Sequence, residues 1–231
     1  MLTFAAMQSN NSFEQGKIIL IDKPMNWTSF DVVRKVRNLV KTKKVGHAGT
    51  LDPLATGLLI ICTGKFTKRI NEFMAQEKEY TGQFTLGATT PTYDLESEPS
   101  NFKSCDHLAD EEIRQMTSQF TGEIMQVPPA HSAIKQKGKR VYELARQGID
   151  VVLEPRKLFI REFEITVINL PVMSFRVVCS TGTYIRSLAN DFGQALGCGA
   201  YLSSLCRTRI GEFKNEDAMS MDEFERKVNR I

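Results

Sequence analysis

Between residues 45 and 59 the chain reads VGHAGTLDPLATGLL, which places one histidine and one carboxylate among three glycines. A carboxylate in such a turn has two chemical uses. It can attack covalently, as in sugar chemistry at C1′, or it can serve as a general base. The surrounding charge favours the ionised form of Asp52. Residues 17–70 hold 11 Lys/Arg against 3 Asp/Glu, and Asp52 is one of those three; nearby cations hold a carboxyl group in its charged state. A plainer reading of the same residues stays open beside this one: Asp-Pro also fits a helix N-cap followed by proline at the first helical position.

Other common chemistries lack their residues. The sequence holds no GxxxxGK[ST] phosphate loop, no GxSxG elbow and no GxGxxG after a strand. His47, His107 and His131 are too scattered for a metal site. The five cysteines (Cys62, Cys105, Cys179, Cys198 and Cys206) are odd in number and contain no Cys-x-x-Cys pair. They indicate neither zinc nor a disulfide framework, and they fit a reduced, cytoplasmic compartment. No cofactor and no metal are therefore expected.

The elements that must position Asp52 follow from periodicity. GKIILID, ending at Lys23-Pro24, reads as a strand entering a turn. Thr28-x-x-Asp31 resembles a capping box ahead of a helix in which Val32, Val33, Val36, Leu39 and Val40 recur on one face. Arg34, Lys35, Arg37 and Lys41 lie mostly off that stripe, and with Lys43 and Lys44 they form the best candidate for a phosphate-backbone contact. GLLIIC (57–62) reads as a buried strand, 66–74 as a short helix, and KEYTGQFTL (78–86) as a strand with Tyr80, Gly82, Phe84 and Leu86 on one face. Residues 87–106 read as an exposed polar loop and 110–120 as a surface helix with acids in its first turn.

In VPPAHSAIKQKGKRVYELAR a hairpin-like basic tip follows the prolines, with a short helix expected over 141–145. Beside Tyr142 and His131 that tip suits an RNA strand held by charge and stacking, and equally a solvated hairpin. Two strands divided near Pro171 come next, then a helix capped by Thr183 and closed by Gly197, a strand over 200–210 and a terminal helix over 222–230. The mixture lacks regular βαβ alternation and predicts an α+β fold with a largely antiparallel sheet.

The 231 residues are 42% hydrophobic and 25% charged, ordinary globular values that disfavour disorder and coiled coil. The longest apolar run is strand-sized, so no membrane span is expected. Residues 1–16 read as a flexible N-terminal arm and 17–231 as a single domain. Net charge is only +3, yet it is unevenly spread: residues 71–130 reverse the earlier excess, with 3 basic against 11 acidic. Basic segments that converge would form an electropositive face for a polyanion.

Four ordered stretches carry a resemblance: GHAGTLDPLATGLL after LIDKP and the basic helix, KEYTGQFTLG, VPPAHSAIKQKGKRVYELARQG, and CSTGTYIRSLANDFGQALGCGAYLSSLCRTRIG. From about residue 17 to 225 the chain resembles the TruB-type tRNA pseudouridine synthases. The resemblance implies the pseudouridine-synthase fold, a mixed central sheet flanked by helices and RNA-binding loops. It also implies a cofactor-free isomerisation of uridine 55 in the tRNA T loop. The glycosidic bond of a flipped-out uridine is broken, the uracil rotates, and it rejoins through C5.

By the same resemblance Asp52 is the catalytic aspartate, attacking C1′, attacking C6 or driving elimination through a glycal. Tyr80 stacks on the target base and assists proton removal from C5. Arg186 pairs with Asp52, a use suited to a bidentate guanidinium. His47 meets flipped-out nucleotides of the loop, Tyr184 is an active-site tyrosine, and Leu205 is an apolar contact to the base. Lys23-Pro24 matches a structural motif to which no chemical step is assigned. His131 stands where relatives commonly have tyrosine, and a tolerated change in RNA contact is expected. The chain ends soon after the catalytic domain, so no PUA domain is expected. The tRNA would be held through its T arm by a monomer with no obligatory protein partner, and assistance to tRNA folding would be compatible with that binding.

Overall fold

The computed structural model describes residues 12–132, 135–136, 139–140 and 153–230. Contacts gather into two compact units, Met1–Ala75 with Phe213–Ile231, and Gln76–Glu212. The first unit is thus built from both ends of the chain. No helix among the described residues is long and apolar enough to cross a membrane.

In the first unit, α1 (Ser12–Gln15) precedes β1 (Ile18–Lys23), α2 (Ser29–Val40), β2 (Val45–His47) and β3 (Thr56–Thr63). A 3-10 turn over Gly64–Arg69 then runs into α3 (Ile70–Ala75). β1 pairs antiparallel with β3 from Ile18↔Cys62 to Lys23↔Gly57, and β2 pairs with β3 from Val45↔Thr63 to His47↔Ile61. The capping box of α2 forms as its sequence requires: Asp31 N–H donates to Thr28 Oγ1 while Thr28 N–H donates to Asp31 Oδ2. Its valine stripe packs on Ile19 and Ile21 of β1, Leu59 and Ile61 of β3, and Met221 and Phe224 of the terminal helix Met221–Val228.

Two expectations need correction in this unit. Residues 12–15, assigned to a loose arm, form α1, with Phe13 only 8% exposed in the core. The chain closes tightly there, because a side chain at Gly64 (φ +51°) would meet the Glu14 carbonyl. Residues 1–11 of the expected arm lie outside the described residues. The second correction is that Asp52-Pro53 caps no helix. Ala55 N–H donates to Asp52 O at 3.1 Å, closing a single turn with proline in its second position. The apolar, strand-forming run that follows then pairs as β3 instead of coiling.

In the second unit, β4 (Lys78–Leu86), α4 (Asp110–Met116), β5 (Gly122–Gln126) and the two-residue strands β6 (Lys135–Gln136) and β7 (Lys139–Arg140) precede β8 (Arg156–Asn169) and β9 (Val172–Cys179). α5 (Ile185–Ala195) and β10 (Ala200–Ile210) follow. The strand order is β10-β4-β9-β8-β5, and each pairing is antiparallel. Among the described residues, the parallel contacts inside either unit are isolated bridges, Ile21↔Met219 and Asp94↔Leu202. The α+β class with a largely antiparallel sheet is as expected.

The core of this unit is aromatic. Phe84 of β4 lies 4.2 Å from Phe175 of β9 and 6.2 Å from Phe192 of α5, measured between ring centroids, and Phe163 sits 5.3 Å from Phe192. At the far end of α5, Gly193 takes the N-H of Gly199 on its carbonyl, and a side chain there would strike Ala200 N at 2.1 Å. Glycine is what lets helix and strand approach so closely.

The loop over 87–106 is not merely exposed. Thr89 and Ser100 exchange backbone hydrogen bonds at 2.9 and 2.8 Å, and Thr90, Thr92 and Asp94 are buried between them. Thr183 does not cap α5 either. The N-cap is Tyr184, while the Thr183 hydroxyl donates to Ser180 O. The hairpin expected around the basic tip is present as the β6–β7 pair, Lys135↔Arg140 and Gln136↔Lys139. Its turn residues, Tyr142 and the helix expected over 141–145 lie outside the described residues.

Candidate active site

The turn that presents Asp52 is held from both sides. On the N-terminal side, Leu51 N–H donates to Ser29 Oγ at 2.9 Å, and that hydroxyl donates back to Leu51 O at 3.2 Å. Ser29 opens α2, so the helix start is tied to the residue before the carboxylate. On the C-terminal side, Pro53 O accepts from Asn26 N–H at 2.9 Å and from Lys23 Nζ at 3.2 Å. Lys23 is 0% exposed, and its ammonium also donates to Pro24 O at 2.9 Å and Trp27 O at 2.6 Å. A buried cation is tolerated when its donors are satisfied in this way. Asp52 itself is half-buried. Lys23, to which no step is assigned from sequence, is therefore a clamp on the Asp52 turn, and the Lys-Pro pair was its signal.

His47 ends β2, half-buried opposite Ile61 of β3. Ala48 N–H donates to Ile60 O at 2.9 Å, and Gly49 adopts a positive φ of 98° that turns the chain toward Asp52. His47 and Asp52 thus share one glycine-rich segment of the first unit.

The other four candidates belong to the second unit. Tyr80, 8% exposed, lies on β4 opposite Arg207 of β10 and Val177 of β9. Leu205 pairs with Gly82, two residues along from Tyr80, so Leu205 and Tyr80 project from the same face of the sheet. Gly82 has to be glycine, since a Cβ there would stand 2.2 Å from Ser204 O. Lys78 shares the Tyr80 face. Burial, with the Arg207 charge adding to it, pushes its ammonium down to about 8.

Tyr184 and Arg186 open α5. Arg186 is 4% exposed. Its Nη1 donates to Thr92 O at 3.3 Å, its Nη2 donates to His131 O at 3.1 Å, and its Nε lies 3.6 Å from Asp94 Oδ2. The other Asp94 oxygen accepts Glu96 N–H at 3.0 Å. Asp94 is the residue that sequence reading missed, because it lies among the acids of a polar loop. One signal was available: Thr90, Thr92 and Asp94 recur with period two, as buried positions of an extended segment do. His131 meets Arg186 through its main-chain carbonyl, a contact that is indifferent to whether the side chain is histidine or tyrosine.

The cationic helix is partly neutralised within the protein. Arg34 pairs with Asp31 and Lys35 with Glu225, each at 2.7 Å, and Arg37 Nη2 donates to Val45 O. Lys41, Lys43 and Lys44 are exposed and form no ion pair among the described residues. They are the stronger candidates for contact with a polyanion.

Residues 37–185 match the model of the TruB family pseudouridylate synthase N-terminal domain, and residues 186–230 match that of the tRNA pseudouridylate synthase B C-terminal domain. The chain is 53% identical over 218 residues to the tRNA pseudouridine synthase B of Flavobacterium johnsoniae, covering 91% of this chain and 95% of that protein. It is 51% identical over 219 residues to the tRNA pseudouridine synthase B of Phocaeicola vulgatus, covering 92% and 93%. Among solved structures, the Cbf5 of a Cbf5-Nop10-Gar1 complex superposes with a TM-score of 0.74 at 30% identity. That match covers 95% of this chain but 57% of the other, so this chain spans little more than half its length.

Proposed function

This chain belongs to the TruB family of pseudouridylate synthases, and from that premise we propose that it isomerises uridine to pseudouridine in tRNA, at position 55 of the T loop. The observation that carries the reading is the Asp52 turn. Ser29 secures the residue before the carboxylate, and Lys23 with Asn26 secures the residue after it. A half-buried carboxylate on so constrained a backbone is pre-organised for one position of a sugar or base.

In this reading the C1′–N1 bond of an extruded uridine breaks and a C1′–C5 bond forms. The C5 proton leaves and N1 gains a proton. Attack at C1′, attack at C6 and the glycal route all require an ionised Asp52, and Arg186 serves as its counter-charge. Tyr80 lies against the uracil and takes the C5 proton, and Leu205, on the same sheet face, supplies an apolar wall. Tyr184 lines the site, and His47 meets nucleotides displaced from the T loop, where a planar imidazole suits stacking. The T arm is the part of the tRNA that is gripped, with Lys41, Lys43 and Lys44 at its phosphates.

The test is tritium release from tRNA carrying 5-³H-uridine. Wild type is expected to release tritium from position 55 and Asp52→Asn to fall to background. Release that survives in Asp52→Asn would remove the aspartate from the chemistry.

A further inference from the structure

We infer that Gln126 is a positioning residue for the reaction, its buried side-chain amide holding the backbone of Tyr184 and, through the start of α5, the guanidinium of Arg186. The inference rests on the role given to Arg186 in the proposed function.

Gln126 is the last residue of β5 and is 2% exposed. Its Oε1 accepts Tyr184 N–H at 2.9 Å, and its Nε2 donates to Tyr184 O at 3.1 Å. The side chain therefore does for Tyr184 what a neighbouring strand would do, engaging both polar groups of one extended residue (φ −99°, ψ 109°). Tyr184 has no side-chain cap bond of its own, and its carbonyl also accepts Leu188 N–H, the first hydrogen bond of α5. The glutamine thus fixes the N-cap residue from which α5 starts.

The next residues of the same segment add further ties. Val127 O accepts from Ser187 Oγ at 2.8 Å, and His131 O accepts from Arg186 Nη2 at 3.1 Å. Residues 126–131 consequently hold positions 184, 186 and 187, bracketing the arginine on both sides. Only Gln126 in this set acts through its side chain, so it is the point at which substitution can loosen the turn.

Residue chemistry explains the choice. The site needs one donor and one acceptor on a planar group, and glutamine supplies both. An ionised glutamate only accepts, and leucine does neither. With the pair lost, the Tyr184 N–H loses this acceptor and its carbonyl keeps the Leu188 N–H but not the second donor, so the start of α5 loosens. A displacement of about 1 Å at a reacting group costs on the order of 100-fold in rate.

The test uses Gln126→Leu and Gln126→Glu in the full chain. Three quantities are measured: the single-turnover rate of tritium release, tRNA binding, and hydrogen exchange of the Tyr184 amide. Gln126→Leu should lower the single-turnover rate about 100-fold, speed exchange at Tyr184 and leave tRNA binding within about twofold. Gln126→Glu reads the hydrogen bond itself. Its protonated acid can donate to Tyr184 O and accept from Tyr184 N–H, and burial raises its pKa. Its rate relative to wild type should therefore be near unity at low pH and fall as pH rises. If Gln126→Leu does not fold, this pH series carries the test alone. A Gln126→Leu rate within threefold of wild type overturns the inference. So does a Gln126→Glu ratio that stays flat with pH while binding and rate decline together. A wild type that releases no tritium overturns the functional reading instead.

Discussion

Replacing Asp94 with asparagine removes one charge from a buried pair while keeping nearly the same shape. The Asp94 and Arg186 side chains are 6% and 5% exposed, with Oδ2 and Nε 3.6 Å apart. At an effective dielectric of about 20 their attraction is about 4–5 kcal/mol. The amide oxygen can still accept Glu96 N–H, as Asp94 Oδ1 does. Its NH₂ group, however, then faces the guanidinium, donor against donor. Arg186 retains the carbonyls of Thr92 and His131, so part of the cation's solvation survives. The net loss should be about 3 kcal/mol, the low end for breaking a buried pair. In a protein of this size that lowers the melting temperature by about 6–12 °C.

Thermal melts of wild type, Asp94→Asn, Arg186→Met and the double variant form a cycle whose coupling should be about 3 kcal/mol, because Arg186→Met alone strands the carboxylate. Tritium release by Asp94→Asn should fall about 100-fold as the arginine loses its orientation. Additive single effects within about 0.5 kcal/mol, or an unshifted melt for Asp94→Asn, would refute the reasoning.

Replacing Lys41, Lys43 and Lys44 together by alanine should make the log–log salt dependence of tRNA binding shallower by about 2, the slope of that many phosphate contacts. Lys35→Ala, whose lysine is engaged by Glu225, should leave the slope unchanged; fluorescence anisotropy over a salt series measures both. Lys78 is held down at about 8 against an ordinary 10.5. Between those values the unfolded chain binds the extra proton, so wild-type stability should rise with pH across that window. Urea denaturation of Lys78→Met should lose that rise, and a persisting one would assign it elsewhere. Gly82→Ala places a methyl group 2.2 Å from the Ser204 carbonyl oxygen. It should destabilise the second unit by about 1–3 kcal/mol, measured as a lower melting temperature.

Features that depend on neighbours in the chain were legible from the residues alone. Thr28 and Asp31 are three apart, so the start of α2 is a local event, and the valines repeat with the period of the helix they build. β4 alternates as read, with Tyr80, Phe84 and Leu86 buried on one face. Asp52 stood out because its type is rare in its neighbourhood. The misreadings share a cause. Asp52-Pro53 carries the local marks of a helix start, but the run after it gains more by pairing with β1 than by coiling. Thr183 is a good cap by type, yet its hydroxyl turns back to Ser180 O, and the N-cap residue is Tyr184, held by the amide of Gln126, 58 residues away.

The sequence by itself determined the fold class, the family and the segments that supply candidate groups, because motif order and periodicity are properties of the chain. Tertiary structure decided which polar residues are buried and what satisfies them. Lys23 reaches a carbonyl 30 residues on, and Arg186 reaches one 94 residues back. Asp94 and the exposed Glu96 look alike in any short window. A buried charge is stable only opposite a partner, and in this chain the partners come from distant segments that only folding brings together.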